Sequence, residues 1–273
     1  AVISEFRRQL YNEEKSENTI EKYIRDVKMF VAYACGAAIT KETVIAYKNK
    51  LVCDNYAARS INSMVASLNS LFLFLGWNDL RLKSVKLQRQ VYCPEEKELT
   101  RAEYLRLVNT AKQKGNERLY LLIQTICSTG IRVSELKYIT VEAVRCGEAV
   151  VSLKGKTRSV FIVNELKKKL LCYAAEQGIK SGEIFITRNG KSMSRTNIWR
   201  EMKNLCKQAD VNPEKVFPHN LRHLFARTFY SIEKDIAKLA DILGHSSINT
   251  TRIYIITTGN EHRRRMESMR LIV

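Results

Sequence analysis

Histidine is scarce in this chain. Only four occur in 273 residues, and three of them, His219, His223 and His245, fall in one stretch near the carboxyl end. Long apolar runs are missing too. No stretch reaches bilayer-spanning length, and the opening AVISEFRRQL lacks the apolar core of a secretory leader, so a cytoplasmic protein with no membrane partner is expected. The seven cysteines (35, 53, 93, 127, 146, 172 and 206) are odd in number, scattered and never spaced CxxC, which points to free thiols rather than disulfides or a zinc ribbon. Neither a Walker loop nor a GxGxxG occurs, so no cofactor is expected. Acidic residues are in deficit, 28 Asp and Glu against 46 Lys and Arg, for a formal charge of +18. So large an excess of one sign implies attraction to a polyanion. It is uneven: residues 1–90 carry 14 basic against 9 acidic side chains, residues 99–273 carry 31 against 16.

Hydrophobic periodicity predicts a mainly α protein with a small β-sheet. Residues 1–80 read as four helices, marked by Ile3, Phe6 and Leu10, by Ile20 to Val31, by Val44 to Val52, and by Ile61 to Leu75 ending near Gly76. Residues 81–98 lose periodicity, contain Pro94 and read as a linker, basic and then acidic. A second domain starts at 99. Thr100 and Glu103 form a capping box, and LYLLIQTIC predicts a helix over 117–129, buried on most faces and stopped by Gly130.

Arg132 follows that helix directly, so a rigid element would hold its guanidinium, and Glu135 shares its face if the segment is helical. A plain surface ion pair is the bland alternative. AVVSLKGKTRSVFIV over 149–163 predicts a hairpin whose tip carries Lys154, Lys156 and Arg158 toward a groove. Asn164 is expected to cap a basic helix ending at Gly178. EIFITRNGKSMS suggests a short strand, a turn at Asn189-Gly190 and a Ser194 cap for helix 195–209. On that last helix Arg195, Arg200 and Lys203 are candidates to face nucleic acid, and Trp199 reads as packing.

Positions 219, 222 and 223 share one face of a helix beginning at Pro218, and a His-Arg-His face is poor core material but suits gripping a phosphate. Gly244 should end the next helix and leave His245 at a turn; SSINTT then caps a short helix leading to Tyr254. His219 and His223, spaced i, i+4, also allow a zinc reading with Asp241, but no third ligand stands at helical spacing.

HNLRH and LGHSSINTTRIY, with Tyr254 nine residues past His245, closely resemble the signature boxes of the tyrosine recombinases, and GIRVSEL resembles the box that precedes them. The resemblance implies site-specific DNA recombination through a covalent 3′-phosphotyrosine. Arg132, Lys154, His219, Arg222, His245 and Tyr254 would be catalytic, with Glu135 and His223 in support. Set against the family's G-K-G-x-K-x-R, the turn here is one residue short, which leaves Lys156 open as an alternative to Lys154. The resemblance also implies a helical core-binding bundle (1–80), a linker (81–98), a mixed α/β-hairpin catalytic domain (99–254), and a tail (255–273) that docks on a neighbouring subunit or packs on its own domain. The partners implied are a duplex DNA site, a homotetramer with two subunits active at a time, and accessory or host factors, in the nucleoid. A minimal two-domain member, with no long arm-binding segment before the bundle, is the form expected. A type IB topoisomerase and a DNA-binding protein without cleavage remain the alternatives.

Overall fold

The computed structural model describes residues 2–86, 97–153, 156–254, 263 and 266–269; for Leu153 and Lys156 the backbone alone is described. The chain divides into two compact units, residues 1–89 and 90–273.

The first unit is a four-helix bundle, α1 (Val2–Asn12), α2 (Glu17–Ala34), α3 (Lys41–Cys53) and α4 (Ala58–Phe74). Its core contains most of the apolar positions the periodicity picked out, among them Phe6, Leu10, Ile20, Val27, Phe30, Val44, Ile61, Leu68 and Phe72, whereas Val31 and Val52 are exposed. Phe30 sits at its centre, edge-on to both Tyr47 and Phe72. One charged group is buried here. Asp26 on α2 takes a 2.8 Å ion pair from Lys22 and a 2.8 Å hydrogen bond from Ser67 on α4. Residues 81–86, the start of the expected linker, lie against the bundle. Leu82 exchanges two backbone hydrogen bonds with the Asn69 amide, and Val85 two with Asn62.

The second unit opens with the Thr100–Glu103 capping box on α5 (Arg101–Gln113). Helix α6 (Glu117–Thr129) is the spine of this unit: Leu119, Leu121, Leu122, Ile123 and Ile126 are all buried, as expected of a helix apolar on most faces. Gly130 ends it at φ 64°, a conformation that costs a residue without Cβ little. A 3-10 turn (Val133–Tyr138) and α7 (Val141–Cys146) lead into an antiparallel hairpin of β1 (Glu148–Leu153) and β2 (Lys156–Phe161), paired from Glu148↔Phe161 to Leu153↔Lys156. Ala149, Val151 and Val160 point into the core, while Val150 and Phe161 face out.

Helices α8 (Asn164–Glu176), α9 (Arg195–Ala209), α10 (Pro218–Glu233), α11 (Ile236–Leu243) and α12 (Ile248–Arg252) complete the unit, with α10 packed on α6 and α9 on α5. Two local expectations are corrected. Asn164 is the first helical residue of α8, not its cap; extended Val163 takes the cap position. Residues 183–192 form isolated bridges, Thr140↔Glu183 and Ile186↔Ser192, rather than a strand, since the turn over 187–191 closes the segment back on itself. Ser194 caps α9 as expected, accepting from the Asn197 N–H at 3.1 Å. The six described cysteines are free thiols. Among the described residues no helix is long and apolar enough to cross a membrane.

Since Asp26 is buried and its partners span α2 and α4, Asp26→Ala should destabilise the bundle by about 2–3 kcal/mol, because it removes the buried acceptor shared by Lys22 and Ser67 and leaves them only the Ser63 carbonyl and each other. Asp26→Asn, which keeps the Ser67 contact, should cost less. Urea unfolding of the full chain with matched m-values reads both.

Candidate active site

Four separate parts of the second unit deliver charged and ring side chains to one place. Helix α10 begins at Pro218, whose missing N–H costs nothing at a helix start, and its first turns present His219, Arg222 and His223. The 3-10 turn after α6 carries Arg132 and Glu135, strand β2 carries Arg158, and the segment after α11 carries His245 and Tyr254.

Arg222 is almost fully buried, at 1% exposure. Its Nη1 donates to the Gly130 carbonyl, and its Nη2 donates to the Leu243 carbonyl at 2.6 Å and lies 3.1 Å from His245 Nε2. Burial, then the charge of Arg132, pulls its pKa down to about 10, so it stays cationic at neutral pH. Arg132 donates to Glu135 Oε1 at 2.8 Å and to the Gly244 carbonyl at 3.3 Å, leaving its guanidinium partly open to solvent. Glu135 is buried and also accepts from Arg158 at 2.6 Å. Burial works to raise the Glu135 pKa, but the Arg132 N–H and the two guanidiniums outweigh it and hold the pKa below the usual carboxylate value. The pair is thus part of an Arg132–Glu135–Arg158 bridge and not a solvated surface contact.

Tyr254 is buried at 6% exposure, and its ring is walled by imidazoles. His223 stacks on it at 4.2 Å and 22°, His219 stands edge-on at 5.2 Å, and His245 lies at 5.1 Å; the Arg222 guanidinium is 6.0 Å from the ring centre. The histidines are held neutral. His223 is pushed down to about 4 by burial and then by His219, Arg227 and Arg222. His245 is pushed down to about 4 by burial and then by Arg222, Arg132 and Arg158. His219 reaches the surface, yet the protein around its ring and then Arg222, Arg132 and Arg195 also lower its pKa. Among the described residues no group of three or more His, Cys, Asp or Glu is disposed to hold a metal ion.

The expected site residues therefore separate. Arg132, Glu135, His219, Arg222, His223, His245 and Tyr254 come together. Lys154 lies outside the described residues, and of Lys156 only the backbone is described. Arg158, expected to reach out from the hairpin tip, turns inward instead: its side chain is 12% exposed, and its Nη1 donates to the Ile242 carbonyl at 2.7 Å. Strand alternation explains this, since Arg158 shares a face with buried Val160 and lies opposite buried Val151. Arg195 and Arg200 are exposed on α9, whereas the Lys203 ammonium donates to the Pro213 carbonyl and lies over the Trp199 ring. Trp199, expected as packing, is itself 48% exposed, because α9 buries its opposite face through Ile198, Met202 and Leu205.

Comparison with known proteins shows the family. A model described as "Phage integrase family" matches residues 97–261, and one described as "Phage integrase, N-terminal SAM-like domain" matches residues 3–79. The chain belongs to the phage integrase family. Tyrosine recombinase XerA of Pyrococcus furiosus is 30% identical over 99% of this chain and 94% of its own length; tyrosine recombinase XerD of Halalkalibacterium halodurans is 27% identical over 89% and 88%. Among solved structures, XerA recombinase matches at TM-score 0.57 and 26% identity over 100% of this chain and 99% of its own. A lambda integrase dimer bound to a core site shares the fold at TM-score 0.75 and 18% identity over 94% and 95%. As a phage-integrase member the chain is an enzyme of site-specific recombination, which breaks and rejoins DNA.

Thr251 was not singled out from the sequence. It is fully buried, and its hydroxyl lies 2.9 Å from His245 Nδ1. The polar run SSINTT gives no hint of it, since every residue there reads as a helix cap.

Histidines with depressed folded-state pKa values stabilise the fold above their unfolded value and lose that contribution as pH falls through the folded one. With His223 and His245 at about 4, the full chain should lose thermal stability between roughly pH 6.5 and 4. His223→Gln should flatten that slope. An acid dependence as steep in the variant as in the wild type would contradict the assignment.

Proposed function

We propose that Tyr254 is the nucleophile and that the substrate is a phosphodiester of duplex DNA. The phenolic oxygen bonds to phosphorus while the P–O5′ bond breaks, giving a 3′-phosphotyrosine and a free 5′-hydroxyl. Attack by the 5′-hydroxyl of a partner strand reverses the step and conserves the bond energy. The observation that carries this reading is Tyr254 ringed by three neutral imidazoles beside a buried guanidinium.

A free phenol has a pKa near ~10, so it needs a base. His219 is assigned that role, because burial and then its arginine neighbours lower its pKa and its ring meets Tyr254 edge-on. Charge that builds on the non-bridging oxygens is assigned to Arg132 and Arg222, whose planar donors suit two oxygens at once. Protein carbonyls and Glu135 fix both guanidiniums beforehand, so little reorganisation remains for the moment of reaction. His245 is assigned a hydrogen bond to a phosphate oxygen. His223 supports the tyrosine ring from beneath, and Lys154, with Lys156 as the alternative, is assigned as the acid that protonates the leaving O5′.

Charge supports the DNA assignment, with both units net basic. Exposed Arg195 and Arg200 are proposed to meet phosphates, and the bundle of residues 1–80 to hold the other side of the site. A homotetramer is proposed as the working assembly; the fold-matched lambda integrase is described as a tetramer bound to a Holliday junction. Relaxation without partner exchange, or binding without cleavage, is not favoured by relatives that carry recombinase names.

A duplex nicked beside the cleavage point loses its short strand on attack and traps the intermediate. Wild type should give a denaturation-resistant protein–DNA adduct and Tyr254→Phe none; an adduct in the variant, or none in wild type, would remove Tyr254 from this role. Salt titrations separate the arginines. Arg195→Gln and Arg200→Gln should each reduce the slope of log K against log salt by about 0.9 if one phosphate contact is lost. Arg158→Gln should leave that slope unchanged and slow cleavage.

A further inference from the structure

The hydrogen bonds at His245 fix its proton. An arginine N–H can only donate, so His245 Nε2, 3.1 Å from Arg222 Nη2, must be the accepting nitrogen. The ring proton of a neutral imidazole is then on Nδ1, where Thr251 Oγ1 receives it at 2.9 Å. In this state Nε2 has no proton to offer a phosphate. The role assigned to His245 above requires the reverse, a proton on Nε2 directed at a phosphate oxygen.

We propose that Thr251 is a positioning residue that lets His245 exchange one tautomer for the other on binding DNA. A hydroxyl both accepts and donates. Without DNA it accepts from Nδ1–H while Nε2 accepts from Arg222. When a phosphate takes over the Arg222 N–H that Nε2 had accepted, Nε2 takes a proton from a solvent hydronium and Nδ1 releases its own to water, while the guanidinium keeps its carbonyl partners. Thr251 then rotates its O–H to donate to Nδ1, and Nε2–H donates to the phosphate. No net proton is gained, which suits a ring that burial and its arginine neighbours keep neutral. A single-function partner cannot serve both states: a carbonyl accepts only, and a methyl does neither. Thr251 is placed for this by its complete burial within α12, whose first turn is capped by the Ser247 side chain. The idea rests on His245 being the phosphate-contacting histidine.

The test uses the full chain with 15N-labelled histidine, observed by two-bond 1H–15N correlation, which reports which ring nitrogen is protonated. Four histidines give four patterns, and His245→Gln identifies the one to follow. Wild type without DNA should show the proton on Nδ1. Tyr254→Phe protein bound to site-bearing duplex should show it on Nε2. Thr251→Val, nearly the same shape, should lose the clean Nδ1–H pattern and slow adduct formation by roughly 10- to 100-fold, up to the lower end of the ~10²–10³ that one missing transition-state donor costs. Thr251→Ser should restore both readouts, and it carries the test if the valine variant fails to fold.

A proton on Nε2 in the free wild-type protein, or no change on binding DNA, would overturn the proposal. So would wild-type cleavage by Thr251→Val alongside slow cleavage by His245→Gln. If His245→Gln itself cleaves at the wild-type rate, the role of His245 falls first, and the two failures are distinguished.

Discussion

Three consecutive carbonyls at the end of α11 each accept a hydrogen bond from a different arginine. Ile242 takes Arg158, Leu243 takes Arg222 and Gly244 takes Arg132. The end of a helix is where carbonyls lack intrahelical partners and where the peptide dipoles leave negative charge. Here that end gathers guanidiniums from β2, from α10 and from the turn after α6. One buried carboxylate, Glu135, bridges two of them. Three cations this close would repel one another strongly without such partners, so the site depends on α11 ending where it does. Gly244 makes that ending possible twice over: its φ of 62° turns the chain, and a Cβ at that position would collide with the Arg158 side chain.

Arginine and histidine divide the electrostatic work between them. A guanidinium keeps its proton even at the depressed value of about 10 seen for Arg222, so a clamp for oxygen charge remains cationic when buried. An imidazole buried in the same field loses its proton: burial first, and then neighbouring positive charge, lowers His219, His223 and His245. The cations that would stabilise phosphate charge therefore add to burial in lowering the pKa of the proposed base. Both functions come from one arrangement, and neither needs a separate charge relay.

Much of this was legible because the signals were local. The Thr100–Glu103 box, the glycine stops at 130 and 244, and the i, i+3, i+4 spacing of His219, Arg222 and His223 each act within a turn or two of chain. What was not legible depended on distant partners. Arg158 read as a tip residue because it stands in a basic run, although the alternation that places it beside Val160 was already in the sequence and was outweighed by charge. Thr251 gave no signal at all, since its burial is produced by the return of α12 against α11. Asn164 illustrates the limit of cap rules: a residue with the right side chain stands one position inside the helix when the residue before it is already extended.

The placement of the proposed nucleophile completes the logic. Tyr254 does not belong to the main core of its unit. It packs in a small separate cluster with Ala226, Leu239 and Leu243, with Phe225, Phe229 and Tyr230 around it. Arg222, by contrast, is tied through Gly130 to the end of α6, whose side chains lie at the heart of the large core. Local opening is cheapest where few apolar side chains are shared with the rest of the fold. A tyrosine carried after a five-residue helix thus shares few apolar contacts with the large core, whereas Arg222 is held to that core through Gly130 as well as to the small cluster through Leu243. A covalent linkage that forms and is later reversed asks for this asymmetry, with a fixed receiver and a lightly held donor.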